Sequence, residues 1–237
     1  MPEEKENYKM EDNINKSRRT ALRTGLFGAG MTAVTVALGQ TRELCGLTPA
    51  QTPGPFYPVK DQPDKDADLT FVQGQAGKAV GQEILVQGIV TDQNCAPLAG
   101  ALVEIWQACT TGKYNHPNDP NPAPLDRNFQ YWGRAVTDAT GLYRFKTILP
   151  GAYPADTGWT RPPHIHFKIQ KMGYAEMITQ LYFAGHALNA KDRILMSLPV
   201  ADQKKVVVPL VKTTQAYAGV NLVATFNISI QKIGALR

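Results

Sequence analysis

Two histidines separated by a single residue occur in the stretch RPPHIHFKI, which covers residues 161–169. After its two prolines, this stretch has the residue types of a β-strand, in which side chains alternate between two faces. His164 and His166 are therefore predicted to point the same way, while the apolar residues that alternate with them point into a core. Neutral imidazoles can bind Zn, Cu, Mn or Fe. The pair therefore indicates half of a metal site.

Two tyrosines in long irregular loops are candidates for the other half. Tyr114 follows Gly112-Lys113, and Tyr153 lies in PGAYP, where prolines restrict the backbone. Long loops without regular secondary structure in a compact domain are usually functional. A tyrosine with its free pKa of about 10 coordinates as phenolate only to a strong Lewis acid. Two phenolates with two imidazoles would favour ferric over ferrous iron, because anionic oxygen donors stabilise the higher charge.

Short β-strands separated by turns are predicted to position these side chains. The predicted strands are ILVQGIV (84–90), GALVEIW (100–106), HIHFKIQ (164–170), MITQLYF (177–183) and NLVATFNISI (221–230). GRAVTDATGLYRF is predicted to form a hairpin around Asp138-Ala139-Thr140-Gly141. Helix is expected only around residues 191–196 and 202–205. This pattern predicts an all-β fold: an antiparallel β-sandwich with long active-site loops and few short helices.

The chain is predicted to have three regions. Residues 1–39 carry the pair Arg18-Arg19 and then an uncharged stretch, a pattern that resembles a twin-arginine export signal. An uncleaved amphipathic leader or a weak membrane anchor is the alternative. Residues 40–80 are rich in Pro and Gly and are predicted to be an extended arm packed on the body. Residues 81–237 are predicted to be the β-sandwich catalytic domain.

Charge and cysteine content limit the classes of function. The net charge of +5 comes from 25 basic and 20 acidic residues that are scattered along the chain, so nucleic-acid binding is not expected. No apolar run predicts a stable membrane span in the mature form. Export would permit one disulfide among Cys45, Cys95 and Cys109, and the sequence does not decide which two pair.

The ordered motifs of the chain resemble those of the intradiol ring-cleavage dioxygenases, the family of catechol and protocatechuate dioxygenases. The resemblance runs from about Leu47 to the C-terminus and is carried by LTPAQTPGPFYP, GALVEIWQACTTGKY, GRAVTDATGLYRFKTILPGAY, RPPHIHFKI and TQLYFAGH. It implies a non-haem Fe(III) held by two tyrosines and two histidines. In this sequence those ligands are Tyr114, Tyr153, His164 and His166.

The resemblance also implies roles for other groups. Arg161 occupies the place of the family's active-site arginine, Gln180 matches a glutamine that helps to hold the substrate pocket, and Tyr153 matches the ligand that leaves the metal and accepts a substrate proton. The implied substrates are a small aromatic diol and dioxygen, without an organic cofactor, and a homo-oligomer is expected. Ala155 stands where some protocatechuate enzymes have Trp. A long N-terminal helical segment is not evident, so the protocatechuate-type core is the nearer match.

Two other functions fit parts of the sequence. A non-catalytic, transthyretin-like β-sandwich module shares the pattern of short strands. A cupin-type metalloenzyme would use the histidine pair together with a further downstream histidine and a glutamate. The remaining candidates were interpreted as ordinary structural residues: His116 and His186 as surface or supporting residues, Trp106 as core, and Asp192 and Arg193 as helix-face charges.

Overall fold

The computed structural model describes residues 45–62 and 64–234, so the predicted export signal lies outside the described residues. The strands in this part of the chain are β1 (Glu83–Asp92), β2 (Leu102–Trp106), β3 (Trp132–Val136), β4 (Leu142–Ile148), β5 (Tyr153–Asp156), β6 (Trp159–Arg161), β7 (His164–Gln170), β8 (Met177–Phe183), β9 (Val207–Val208), β10 (Leu210–Tyr217), β11 (Val220–Thr225) and β12 (Ile228–Ile230). The helices are a 3₁₀ helix (Ala187–Lys191), α1 (Arg193–Met196) and α2 (Val200–Val206). None of the described helices is long and apolar enough to cross a membrane.

Two five-stranded sheets share one core, which confirms the predicted all-β sandwich. The first sheet contains β10, β11, β1, β12 and β4, and the second has the order β3-β2-β7-β8-β9. Most neighbours are antiparallel, but β1 runs parallel to β11 and β12, and β8 runs parallel to β9. Long connections make these parallel pairings possible, since tight turns join only antiparallel strands.

The segment predicted to form a hairpin around Asp138–Gly141 instead passes from one sheet to the other. β3 pairs with β2, whereas β4 pairs with β1. The turn itself forms as expected: the Gly141 N–H donates to the Asp138 carbonyl at 3.0 Å, and Gly141 has φ of 78°. The hairpin prediction was wrong because two short strands around a tight turn look the same in sequence whether they pair with each other or with different partners.

The second sheet has one face in the core and one face that carries polar and aromatic groups. Ile165, Phe167 and Ile169 of β7 are fully buried between the sheets, as predicted. On the other face, cross-strand neighbours form a row of side chains: Trp132, Trp106, His166 and Gln180. The alternation of β7 therefore places both histidines on the outer face of the sandwich.

The Pro-rich arm covers this outer face without regular secondary structure. Its Gln51 N–H donates to the Ile178 carbonyl of β8 at 2.8 Å. Farther along, the ring of Tyr57 meets Trp106 edge-on, with centroids 5.1 Å apart. Phe56 and Tyr57 also pack against the core cluster. The arm thus shields from water a sheet face that would otherwise be exposed.

A disulfide between Cys45 and Cys95 fastens the start of the arm to the turn after β1, and Cys109 is a buried free thiol. This pairing answers the question that the sequence left open. A disulfide that closes a segment of 50 residues typically stabilises a domain by about 2–4 kcal/mol, chiefly by restricting the unfolded chain.

Candidate active site

The histidine pair is buried and held in a form that can bind a metal. His164 and His166 are 4% and 7% exposed. Burial, with the nearby charge of Arg161, lowers the pKa of both imidazoles well below the usual value, so both are neutral. The Nδ1 of His164 donates to the Pro162 carbonyl at 2.7 Å, since a carbonyl can only accept. Its Nε2 therefore presents a lone pair.

Trp106 fixes the orientation of the second histidine. Its indole lies parallel to the His166 ring, with centroids 4.8 Å apart and an angle of 11° between the planes. The two residues are directly opposite each other on β2 and β7. Trp106 is 1% exposed, as its interpretation as a core residue predicted, but it also packs directly on a candidate ligand.

Tyr153 lies beside the first histidine. It begins β5 and pairs in register with Arg161 at the end of β6. Its phenol oxygen is 3.4 Å from Nε2 of His164. Burial raises the pKa of the Tyr153 phenol, while the Arg161 charge opposes this shift. A phenolate at this position therefore needs a strong cation.

Tyr114 is positioned by its own loop. Its backbone N–H donates to Oδ2 of Asp119 at 2.8 Å. Lys113 closes the loop by donating from Nζ to the carbonyls of Asp119 and Asn121 at 2.8 and 2.7 Å. Tyr114 is 7% exposed, and burial raises the pKa of its phenol far above the usual value.

Two glycines allow the tyrosine loops to pack backbone against backbone. A Cβ on Gly112 would lie 2.3 Å from the Ala152 carbonyl oxygen, and Gly112 has φ of +78°. A Cβ on Gly151 would lie 2.2 Å from the Thr110 carbonyl oxygen. Any side chain at either position would push the loops apart and, with them, the two phenols.

All four predicted ligands line one cavity. This inner cavity is lined by Tyr114, Tyr153, His164 and His166 together with Phe56, Trp106, Gln107, Ala108, Gly112 and Asp119. A second, outer cavity adjoins it, and both are lined by Phe56, Asp119, Tyr153 and His166. Among the described residues, no group of three or more His, Cys, Asp or Glu could hold a metal. The phenols of Tyr114 and Tyr153 are the tyrosine oxygens in this lining that could complete a metal site with the histidine pair.

Arg161 and Gln180 are also brought to this site, where they contact each other. Arg161 is 3% exposed, and its Nη1 lies 3.0 Å from Nε2 of His164. Its Nη2 donates to Oε1 of Gln180 at 2.7 Å and to the Tyr182 hydroxyl at 3.1 Å. Gln180 in turn donates to the Thr52 carbonyl at 3.0 Å. The arginine is thus linked to the arm through Gln180, and also through Tyr182, whose hydroxyl accepts from the Gln51 side chain.

Asp192, which the sequence suggested was an ordinary helix-face charge, is fully buried and is the counter-ion of Arg161. Its Oδ2 accepts from Nε of Arg161 at 2.9 Å. Its Oδ1 accepts the backbone N–H groups of Ile194 and Leu195 at 3.1 and 2.8 Å, which caps α1. The sequence interpretation was wrong because an N-cap carboxylate looks like a surface charge until its other partner is known. An Asp that precedes a short helix, beyond the strand that carries both histidines, is the one available signal.

The other histidines do not join the cavity. His186 accepts from the Leu188 N–H and caps the 3₁₀ helix. His116 is 8% exposed and packs on the Phe56 ring at 5.4 Å, so it supports the arm instead of lying on the surface. Glu176 contacts Lys168 and Gln170. The further histidine and glutamate that a cupin-type site requires are therefore not provided by His186 and Glu176.

Comparisons with known proteins identify the family. A family model described as Dioxygenase matches residues 53–232. The chain belongs to the intradiol ring-cleavage dioxygenases. The β chain of protocatechuate 3,4-dioxygenase from Burkholderia cepacia is 41% identical over 157 residues, which are 65% of this chain and 66% of that one. Catechol 1,2-dioxygenase from Candida albicans is 32% identical over 197 residues, which are 74% and 62% of the two chains. The chain thus spans less than two thirds of the length of these relatives.

Solved structures of dioxygenases show the same fold. The dioxygenase domain of a dioxygenase and carbohydrate-binding protein fusion from Streptomyces sp. SirexAA-E matches with a TM-score of 0.58 and 27% identity, over 79% of this chain and 99% of that one. Catechol 1,2-dioxygenase from Pseudomonas arvilla C-1 matches with a TM-score of 0.61 and 28% identity, over 81% and 65%. Membership of this dioxygenase family does not favour the non-catalytic, transthyretin-like alternative.

The packing of the tyrosine loops can be tested at Gly112. We expect Gly112→Ala to lower the free energy of unfolding by at least about 2 kcal/mol, because the methyl group meets a carbonyl and the backbone is left-handed. Gly158→Ala is the matched control: Gly158 has φ of +70° but nothing within 4 Å of an added Cβ. Denaturant unfolding of both variants measures the difference. Equal losses would contradict close packing of the two loops.

The counter-ion role can be tested at Asp192. Asparagine keeps an oxygen that caps α1 but removes the charge, and it leaves a buried arginine unpaired. We expect Asp192→Asn to lower the free energy of unfolding by about 3 kcal/mol. Asp138→Asn is the control, since this exposed carboxylate also accepts backbone N–H groups, from Thr140 and Leu142. If the two variants unfold at the same denaturant concentration, Arg161 does not depend on Asp192.

Proposed function

We propose that this protein is a non-haem Fe(III) dioxygenase. It cleaves the ring of a catechol-type diol between its two hydroxyl-bearing carbons and incorporates both atoms of dioxygen into a muconate-type diacid. The observation that carries this proposal is the convergence of two phenols and two neutral imidazoles, from three separate segments, on one cavity. Membership of the dioxygenase family and the names of the relatives support it independently.

The donor set fits ferric iron. Tyr114, Tyr153, His164 and His166 would hold the ion. Tyr114 is buried and Tyr153 is partly buried, and burial raises the pKa of both phenols, which favours a strong Lewis acid as the bound ion. Carboxylate and thiolate donors are not clustered here in the described residues, which disfavours sites built for other metals. When bound, the ferric ion supplies Lewis acidity toward both hydroxyls of the diol and makes its ring reactive toward dioxygen.

The residues around the cavity have distinct proposed roles. As a phenolate, Tyr153 would accept a substrate proton, because burial raises the pKa of its phenol and so favours the protonated form. Arg161 directs Nη1 toward the inner cavity and stabilises negative charge that develops on the ring. Gln180 positions Arg161 and holds the cavity wall through Thr52. The arm and both loops exclude water from these groups, which strengthens their electrostatic effects.

The iron proposal has a direct spectroscopic test. Phenolate bound to Fe(III) absorbs visible light, so the purified protein should be reddish and contain stoichiometric iron. Tyr114→Phe should bleach or shift the band, because it removes one phenolate. Tyr131→Phe is the neighbouring control: its ring is 5.9 Å from that of Tyr114, but it does not line the inner cavity. A colourless protein with stoichiometric zinc would contradict the proposal.

We further propose that the protein is exported to the periplasm or the extracellular space. The twin-arginine-like pattern at Arg18-Arg19 suggests a route that carries folded proteins, so iron can be loaded before transport. The Cys45–Cys95 disulfide supports the proposal, because such bonds persist in oxidising compartments. Assembly into a homo-oligomer stays a prediction from the family resemblance.

Export can be tested by cell fractionation. The full chain should be found outside the cytoplasm, and replacing Arg18 and Arg19 together by Lys should retain it inside. Exported protein, denatured without reductant, should show one reactive thiol, that of Cys109, and all three after reduction. Wild-type protein that stays cytoplasmic with three reactive thiols would contradict both export and the disulfide.

A further inference from the structure

The outer cavity offers room for the part of a bound diol that points away from the four candidate ligands. It has a volume of about 920 Å³ including its open mouth. It adjoins the inner cavity at Tyr153 and His166, so a ring whose hydroxyls face the four ligands projects outward into it. The walls of the outer cavity therefore contact the far edge of the ring and whatever substituent it carries.

These walls are largely apolar. The arm contributes Pro53, Pro55 and Phe56, and the opposite side contributes Pro154, Ala155 and Ile194. Pro154 and Ala155 are exposed at the mouth, whereas Ile194 is half-buried. A substituent at this end of the ring meets hydrocarbon on both sides.

The two charged residues in the lining already have partners. Arg161 is the one lining cation among the described residues, and Asp192 balances its charge. Its Nη2 donates to Gln180 and Tyr182, and its Nη1 faces Nε2 of His164, the atom that would hold the metal. The carboxylate of Asp119 also lines both cavities. Nζ of Lys113 forms an ion pair with Oδ2 of Asp119 at 3.6 Å, and the Asp119 side chain is only 6% exposed.

Arg193 is a further cation that lies outside the lining. Arg193 stacks on the ring of Trp159 at 5.0 Å and pairs with Asp156 at 3.6 Å. Its side chain is 60% exposed. A solvated and paired guanidinium of this kind offers little to an anion in the cavity.

We propose that the preferred substrate carries an uncharged, apolar ring substituent, or none, and that Pro154, Ala155 and Ile194 select it. A carboxylate there would lose part of its hydration against apolar walls without gaining an unpaired cation. The inference rests on the proposed function and narrows it. It also separates this chain from its 41%-identical relative, whose name specifies protocatechuate, a diol with a ring carboxylate.

The test compares three diols with the iron-loaded full protein at neutral pH: catechol, 4-methylcatechol and protocatechuate. Anaerobic titration of the visible band gives the Kd of each, and oxygen consumption gives kcat/KM. We expect the Kd of 4-methylcatechol to be at least tenfold lower than that of protocatechuate, and its kcat/KM to be at least tenfold higher. Equal or better binding and turnover of protocatechuate would overturn the inference.

A variant at the mouth adds the missing charge. Ala155→Lys should raise the kcat/KM of protocatechuate relative to that of 4-methylcatechol by about tenfold. Ala155→Met, with a neutral chain of similar length, should leave this ratio unchanged. Thr157→Lys is the control for a general charge effect, since Thr157 is exposed and does not line the cavity. An unchanged ratio in Ala155→Lys would count against selection at this wall.

The outcomes separate the two proposals. If diols bind anaerobically but none is cleaved, the dioxygenase proposal fails, while the Kd ratio still decides the substituent preference. If no diol binds or reacts, both fail together.

Discussion

The guanidinium of Arg161 is a permanent positive charge that is almost completely shielded from water. A buried charge of this kind is tolerated only when its N–H donors have acceptors and an opposite charge lies beside it. Asp192 supplies the balancing negative charge. Gln180, Tyr182 and His164 provide acceptors for further N–H groups of the guanidinium. These partners come from β7, β8 and the residue that caps α1. The position of the arginine therefore requires all of these elements to be in place at once.

The same network reaches the arm. Gln51 accepts from the backbone of Gln180 and donates to the Tyr182 hydroxyl, and Gln180 donates to Thr52. A segment without regular secondary structure is thus held by polar bonds to the sheet that it covers. One backbone group of the arm, the Thr52 carbonyl, is satisfied in this way, as burial demands. The disulfide at Cys45 and the packing of Phe56 secure the two ends of the covered stretch.

Burial has opposite effects on the two kinds of candidate ligand. It keeps the imidazoles neutral, which suits them to bind metal, and it keeps the phenols protonated unless a strong cation is present. The loops that carry the phenols meet through Gly112 and Gly151, and both tyrosines line one cavity. The burial that shifts both kinds of side chain comes from the arm and the loops, which cover one sheet face.

The amino-acid sequence by itself determined the features that depend on local chemistry. Alternation in HIHFKIQ assigned the faces of β7, the density of Pro and Gly excluded helix from the arm, and residue types limited the metal that the site could hold. Tertiary structure alone decided which segments meet. The turn at Asp138–Gly141 forms from local preference, but the pairing of β3 with β2 and of β4 with β1 depends on strands elsewhere in the chain. Asp192 caps a helix locally, yet its role as a counter-ion exists only because β6 brings Arg161 against it. Contacts between residues distant in sequence are set by the packing of the whole core, and no single stretch of sequence contains that information.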